Sequence, residues 1–258
     1  MILTNENYYS DIANREFFSV SQYKQFRKCE AAVMAHWEQP KSTALLVGSY
    51  VDSWFEGTLD SFRAENPQIF KRDGTLKADY IQAEEIIQRV QADPMFMEFM
   101  SGEKQTIFTA ELFGAKWKIK IDSLLPDRIV DLKVMRSMER IMGKSFVEHW
   151  GYDLQMAIYA AVYKAVTGKD METYLAVVTK QTPSDLELIH IPEWRRAELL
   201  DEVEKSMPRL IALKRGEVEP ERCGVCDYCR ATKKIIEPID FELVGLSNVE
   251  KKAIFGAL

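Results

Sequence analysis

Hydrophobic and polar positions alternate most regularly in residues 116–135. The runs 117–125 and Arg128–Met135 are separated by a proline-containing turn at 126–127, and this pattern predicts a β-hairpin. Asp122 lies near the end of the first run. We therefore expect two neighbouring strands, each of which carries one acidic side chain.

The second strand of this hairpin carries an acid and a base at alternate positions. Because successive side chains of a strand point to opposite faces, Asp131 and Lys133 share one face and Leu132 lies on the other. Charged groups on an apolar strand cost free energy to bury unless they are paired. Taken alone, the pair could be an ordinary ion pair at the rim of a sheet, so the other elements have to decide.

The pattern outside the hairpin predicts helices around a sheet. After an irregular lead-in at 1–18, apolar residues recur at helical spacing in several segments, and short apolar runs indicate further strands. The predicted helices cover 19–37, 43–59, 78–92, 95–100, 137–168 (broken near Gly143 and Gly151), Glu193–Arg215 and 247–256, and the predicted strands cover 106–113, 173–179 and 186–191. This order indicates a mixed α/β sheet wrapped by helices.

Two of the predicted helices carry polar residues spaced i, i+4, so that both members of each pair share a helical face. Gly48 and Asp52 form the first pair, and Gln155 and Tyr159 form the second. Asp52 has apolar neighbours in the sequence, although a solvated position on the outer helical face is the ordinary alternative. Gly48 suggests that another backbone approaches this helix closely.

Composition and charge restrict the class of protein. The chain has 258 residues, of which 47% are hydrophobic, enough for one large domain with a substantial core. It has no apolar run of membrane-spanning length, and its polar N-terminus lacks the order of a signal peptide, so we expect a cytoplasmic location. The formal charge of −6 disfavours a non-specific DNA-coating protein but is compatible with a cationic track beside an acidic metal site.

The four cysteines form a candidate metal site. Cys223, Cys226 and Cys229 follow one another at two-residue intervals, and Cys29 is the remaining cysteine. In a cytoplasmic protein such a set is more typical of a metal site than of disulfides. Thiolates suit Zn²⁺ or an iron–sulfur cluster, and cysteines that bind nothing are the remaining alternative.

The ordered set of polar residues resembles the RecB-like branch of the PD-(D/E)xK nuclease superfamily. In that branch a helix supplies a His or Asp metal ligand, two strands supply acid, acid and lysine, and a later helix supplies Q-x-x-x-Y. The resemblance covers roughly residues 19–230, and Asp52 stands where histidine is commoner. It implies a restriction-endonuclease-like mixed central sheet flanked by helices, with a C-terminal segment fastened by the cysteines.

The resemblance also implies the role of each candidate residue. Mg²⁺ or Mn²⁺ would take hard oxygen ligands, and a lysine would orient the attacking water or stabilise the transition state. The implied metal ligands are Asp52, Asp122, Asp131 and the Leu132 carbonyl, and the implied catalytic set is Asp122, Asp131, Lys133, Gln155 and Tyr159.

One cysteine before the nuclease core and three after it resemble the iron–sulfur nucleases of the same branch. This likeness implies a [4Fe–4S] cluster held by Cys29, Cys223, Cys226 and Cys229, which we prefer slightly to zinc. The family's last spacing is usually wider than the two residues found here. The implied organisation is a lead-in at 1–18, a nuclease domain at 19–235 that includes the cysteine segment 223–229, and a tail at 236–258.

Within the branch, the length and the cysteine segment look closest to the phage and prophage exonuclease VIII (RecE-type) group. That likeness implies a 5′→3′ exonuclease on linear double-stranded DNA in phage-type recombination, a single-strand annealing partner and a ring-like homo-oligomer. The alternatives are a non-catalytic DNA-binding or scaffolding protein with the nuclease fold and, more remotely, a redox-sensing iron–sulfur protein.

Basic residues near these motifs predict a track for DNA phosphates, although solvated surface charge is the ordinary alternative for each. Three alternate along one strand, three follow the second strand of the hairpin, and three follow the cysteines. They are Lys116, Lys118 and Lys120, then Arg136, Arg140 and Lys144, and finally Arg230, Lys233 and Lys234.

Overall fold

The computed structural model describes residues 1–37, 43–235 and 238–255. Its helices are α1 (Asp11–Glu16), α2 (Val20–Lys28), α3 (Glu30–Met34), α4 (Thr43–Phe55), α5 (Leu59–Glu65), α6 (Ala78–Gln91), α7 (Pro94–Phe99), α8 (Phe146–Trp150), α9 (Tyr152–Thr167), α10 (Glu193–Arg215), α11 (Asp227–Ala231) and α12 (Asn248–Phe255). Its strands are β1 (Thr106–Leu112), β2 (Ala115–Ile121), β3 (Ser123–Leu124), β4 (Arg128–Met135), β5 (Glu172–Thr179) and β6 (Leu186–His190).

The strands form a four-stranded mixed sheet and a separate antiparallel pair. The sheet has the order β3-β4-β5-β6, in which β4 and β5 are parallel and the other neighbours are antiparallel. β1 pairs with β2. Parallel neighbours require a crossover, which α8 and α9 provide between β4 and β5. The predicted mixed α/β sheet flanked by helices is confirmed.

β4 separates two hydrophobic cores. Ile129 belongs to the core that is shared with α2, α9 and α10, whereas Val130 and Leu132 belong to the core that is shared with α4, α6 and α7. Asp131 and Lys133 have the parity of Ile129, so they lie on the side of the sheet that α9 covers. The alternation in the sequence therefore positions an acid and a base beneath that helix.

The predicted first strand of the hairpin, 117–125, is wrong as one continuous strand. β2 ends at Ile121, the chain bends at Asp122, and β3 then pairs with β4 through Ser123 and Leu124. The Asp122 carboxylate at this bend accepts a hydrogen bond from the Leu132 backbone N–H. At the bend, Asp122 is therefore joined to β4 by its side chain and not by backbone pairing.

Three predicted helices are shorter than expected. The helix predicted over 19–37 is interrupted at Cys29, which has an extended backbone, and the helix over 43–59 ends at Phe55 before Gly57 adopts a left-handed conformation. Residues 137–145 are not helical because Met142 and Gly143 also have positive φ. The long helix Glu193–Arg215 is confirmed. Gly256, the expected end of the last helix, lies outside the described residues.

The N-terminal segment, predicted as irregular, contains α1, which Ser10 caps. Phe18 continues it as a strand-like bridge to β2, donating its N–H to the Lys116 carbonyl at 2.7 Å and accepting from the Lys118 N–H at 2.8 Å. Tyr8 and Phe17 are buried. Residues 1–18 are therefore packed against the antiparallel pair.

Lys118 fastens this segment, and its predicted role in a DNA track is wrong. It is 1% exposed, and its ammonium donates to the Tyr8 carbonyl and, at 2.8 Å, to Asn14 Oδ1. Burial lowers the pKa of Lys118 to about 8. Lys116, on the same face of β2, instead pairs with Glu16 near the surface at 3.2 Å.

Lys118→Met should lower the free energy of unfolding by about 2 kcal/mol, because it leaves two polar acceptors without their donor. Lys116→Met is the matched control on the same strand and should cost less than about 1 kcal/mol, since it removes a surface ion pair. Urea denaturation measures both values. Equal unfolding midpoints for the two variants would contradict the role given to Lys118.

Candidate active site

Asp122 is held at the bend between β2 and β3 by two hydrogen bonds. Its Oδ2 accepts from the Leu132 N–H at 2.9 Å, and its Oδ1 accepts from Gln105 Nε2 at 3.2 Å. Both donors favour the charged carboxylate. The arrangement joins the first predicted acid directly to the strand that carries the second.

Asp131 lies in the centre of the site and is 2% exposed. Its Oδ1 accepts from Gln155 Nε2 at 2.6 Å, and its Oδ2 forms an ion pair with the ammonium of Lys133. Among the described residues, Oδ2 accepts no hydrogen bond of normal geometry. A buried carboxylate oxygen in this state is suited to a cation.

Asp52 extends from α4 into the same neighbourhood. A small pocket is lined by the polar residues Asp52, Glu56, Gln105 and Asp122 and by the apolar residues Phe55, Met100 and Leu132. Asp52 and Glu56 are one helical turn apart, so both carboxylates face this pocket. The close backbone approach expected at Gly48 is wrong, since a Cβ there would meet no described atom within 4 Å.

Burial and neighbouring negative charge raise the pKa of two of the carboxyl groups, Asp122 and Asp52. Burial is the main cause at Asp122, and the charge of Asp131 adds to it, so that the pKa of Asp122 is raised to about 7 against the opposing effect of Lys133. The pKa of Asp52 is also raised well above its ordinary value, by burial and then by Asp122. Buried acids whose pKa values are raised by burial and by neighbouring charge are typical of a functional site.

Lys133 remains a cation in this setting. Burial alone would lower its pKa, but the charges of Asp131 and Asp122 outweigh burial and raise it. Its ammonium also lies 4.9 Å from the centre of the Tyr152 ring. Lys133 can therefore stabilise negative charge but cannot accept a proton near neutral pH.

Gln155 and Tyr159 approach the site from α9, as their shared helical face predicts. Gln155 fixes Asp131, as described above, and Tyr159 is buried one turn later. Burial, followed by the charge of Asp131, raises the pKa of Tyr159 well above its ordinary value. The phenol therefore stays protonated and can act only as a hydrogen-bonding or packing group.

The donor set fits a hard divalent cation. Mg²⁺ and Mn²⁺ prefer oxygen ligands, and Asp52, Asp122 and Asp131 would supply them. Among the described residues, no three carboxylates are already close enough together to share one ion. A cation at this site would therefore require at least one side chain to rotate, and it would share Asp131 Oδ2 with the ammonium of Lys133.

The four cysteines form a second centre. Their sulfur atoms all lie within 4.8 Å of one another, with Cys29 Sγ 3.7 Å and Cys223 Sγ 3.9 Å from Cys229 Sγ. The break between α2 and α3 makes this possible, because Cys29 leaves the helix there with an extended backbone. The thiols thus come together from segments 200 residues apart.

Ionic and backbone contacts support this centre. Arg209 on α10 forms a two-pronged contact with Glu30, at 2.7 Å for both oxygens, and the Glu221 N–H donates to the same carboxylate. Asn248 of α12 donates its backbone N–H to the Cys223 carbonyl at 2.8 Å. These contacts hold the cysteine segment between α3 and α12.

The chain matches a family over most of its length. The family described as "PDDEXK-like domain of unknown function (DUF3799)" matches residues 19–232. The chain belongs to this PDDEXK-like family. The predicted membership of the PD-(D/E)xK superfamily is thereby confirmed.

One solved structure agrees with this assignment. A proposed exonuclease from Eubacterium rectale shares 49% sequence identity with the PDDEXK-like chain, over 95% of this chain and 99% of that chain, with a TM-score of 0.89. A second structure, SSO0001, shares 14% identity over 73% of this chain and 84% of that chain, and its TM-score of 0.30 has no bearing on function. A comparison with curated proteins finds no match.

The structure adds residues to the PDDEXK-like site that the sequence patterns missed. Glu56 follows Asp52 by one turn, and Tyr152 precedes Gln155 by three residues, so helical spacing could have found both. Lys24 of α2 has its ammonium 5.4 Å from the centre of the Tyr152 ring, and burial lowers the pKa of Lys24 to about 8, helped by the charge of Lys133. Gln105 lies in a loop with positive φ, where no periodicity marks it.

Six basic residues of the predicted DNA track are exposed, whereas Lys120 is half-buried. They form two groups, one between β4 and α8 and one in or after α11. These groups are Arg136, Arg140 and Lys144, and Arg230, Lys233 and Lys234. Within residues 1–37, 43–235 and 238–255, no helix has the length and hydropathy needed to cross a lipid bilayer.

Proposed function

We propose that this PDDEXK-like protein is a Mg²⁺- or Mn²⁺-dependent exodeoxyribonuclease that hydrolyses phosphodiester bonds of linear double-stranded DNA. The observation that carries the proposal is the buried Asp131, held between Lys133 and Gln155 beside Asp122. Stability of the fold alone does not call for two acids and a lysine at one point of a sheet. Family membership and the Eubacterium rectale protein support the nuclease assignment.

In the proposed mechanism the carboxylates of Asp52, Asp122 and Asp131, with the Leu132 carbonyl, would hold a divalent cation. When bound, it would neutralise phosphate charge and lower the pKa of a water molecule for attack. Gln155 keeps Asp131 in its orientation, and Tyr159 supports that arrangement from the next turn of α9. Each of these residues acts by position rather than by exchanging a proton.

Lys133 has a separate role. Because neighbouring acids keep its ammonium charged, it would donate hydrogen bonds to the attacking water or to a phosphate oxygen and stabilise the charge that develops there. It would not serve as the general base. Loss of its charge should therefore reduce the rate of hydrolysis while DNA still binds.

The finer features of the proposal rest on the resemblance to the exonuclease VIII (RecE-type) group. They are the 5′→3′ direction, the role in phage-type recombination, a single-strand annealing partner and a ring-like homo-oligomer. The cytoplasmic location, which was expected from the sequence pattern, stays a prediction. The division into a lead-in at 1–18, a nuclease domain at 19–235 and a tail at 236–258 also stays a prediction.

For the cysteine centre we infer one Zn²⁺ rather than the [4Fe–4S] cluster that the sequence slightly favoured. A tetrahedral ion with zinc–sulfur bonds of about 2.3 Å separates its sulfurs by about 3.8 Å. The two sulfur separations of 3.7 and 3.9 Å support this arrangement. Cluster ligands lie further apart, because each thiolate binds a different iron atom.

Asp131→Asn and Lys133→Ala should each lower the rate of DNA hydrolysis by at least about 100-fold. The first removes a charged ligand of the proposed cation, and the second removes the ammonium that would stabilise charge at the phosphate. The measurement is digestion of an end-labelled linear duplex and a covalently closed circle with Mg²⁺ or Mn²⁺. Asp127→Asn is the matched control, since Asp127 is an exposed acid in the turn of the same hairpin.

We expect the wild-type protein and the control to degrade the linear duplex and leave the circle intact. The labelled end that is released first gives the direction. Hydrolysis that is unchanged in both Asp131→Asn and Lys133→Ala would contradict the proposed site. DNA binding without hydrolysis by the wild type would favour the non-catalytic alternative.

Protein purified without oxygen should contain about one zinc ion per chain and little iron, because four close thiolates complete one tetrahedral site. Elemental analysis by mass spectrometry measures both metals, and Cys229→Ser should lower the zinc content. About four irons per chain, with the brown absorption of a cluster, would contradict this inference.

A further inference from the structure

The N-terminal segment brings two tyrosines next to the carboxylates. Tyr8 is buried and its hydroxyl contacts the Lys118 carbonyl at 3.4 Å, whereas Tyr9 is 69% exposed. The two rings meet edge to face, with centroids 4.9 Å apart. Tyr8 thus anchors the segment, and Tyr9 presents a large aromatic surface to solvent.

Lys120 lies beside this exposed ring. Its ammonium is 4.8 Å from the centre of the Tyr9 ring and 5.5 Å from that of Tyr8. Among the described residues, it has no carboxylate within ion-pair distance. Lys118, one alternation earlier on the same face, is buried and donates two hydrogen bonds that fasten the segment. Lys120 is therefore the cation of this strand that remains for a ligand.

The pair lies within electrostatic reach of the proposed metal ligands. Burial chiefly raises the pKa of Tyr9, and the charges of Asp122, Glu56 and Asp52 raise it further. The same three carboxylates act on Lys120. A phosphate that approaches this acidic group meets repulsion, and a half-buried ammonium at its edge would offset that repulsion.

We propose that Tyr9 and Lys120 form a subsite for the end of a DNA strand, in which the terminal base stacks on the Tyr9 ring and a nearby phosphate pairs with Lys120. A terminal base has a face that no neighbouring base covers, and every base can stack on an aromatic ring. The subsite would therefore select strand ends without reading their sequence. This inference rests on the proposed nuclease function and gives it a reason for acting at ends.

The test measures binding of a fluorescein-labelled duplex by anisotropy, with Ca²⁺ as the cation to limit hydrolysis. Tyr9→Ala should weaken binding roughly 5- to 150-fold, the range found for the loss of one base–aromatic stack. Tyr9→Phe keeps the ring and should bind like the wild type. Trp194→Ala is the matched control, because Trp194 is equally exposed, at 69%, at the start of α10.

The same variants are then tested on a duplex whose terminal nucleotide lacks its base. On this duplex Tyr9→Ala and wild type should bind equally, whereas removal of an internal base should leave their difference intact. Lys120→Gln should reduce the slope of log affinity against log salt concentration by about 1, the change expected for the loss of one phosphate contact. Its binding should still depend on the terminal base.

A Tyr9→Ala effect that persists without the terminal base, or an equal loss in Tyr9→Phe, would overturn the subsite. The nuclease proposal fails separately, if wild-type protein shows the terminal-base dependence but does not hydrolyse DNA with Mg²⁺ or Mn²⁺. Hydrolysis by the wild type together with no difference between Tyr9→Ala and Trp194→Ala would retain the nuclease and remove the subsite.

Discussion

The arrangement of the whole site depends on the burial of two neighbouring ionisable acids, Asp122 and Asp131, inside the protein. Asp122 and Asp131 raise the free energy of the fold unless hydrogen bonds or a cation compensate them. The Leu132 N–H, Gln105 and Gln155 supply part of that compensation, and Lys133 supplies the only cation in direct ion-pair contact with Asp131 among the described residues. The bend after β2 and the position of α9 serve these contacts.

The sequence predicted the parts of this site that follow from local periodicity. Alternation along β4 put Asp131 and Lys133 on one face of the strand, and helical spacing put Gln155 and Tyr159 on one face of α9. It did not predict the bend at Asp122, since that bend depends on a hydrogen bond to a different strand. For the same reason Lys118 and Lys120 look equivalent in the sequence, although one fastens the N-terminal segment and the other does not.

The cysteine centre shows the same division. The short intervals between Cys223, Cys226 and Cys229 marked a metal site, and Cys29 was the single remaining partner. The helix break at Cys29 was missed, because the apolar positions on its two sides continue at helical spacing. Tertiary contacts, among them the pairing of Arg209 with Glu30, determine where the helix is interrupted.

The central claim is that Asp52, Asp122 and Asp131 together hold a divalent cation. Anomalous X-ray scattering from crystals soaked in Mn²⁺ tests it most directly, because it locates the ion itself. The account predicts a manganese peak among these three carboxylates and beside the Leu132 carbonyl, with the Asp131 side chain turned toward it. A peak that lies elsewhere, or none at this site while manganese binds in solution, would contradict the account.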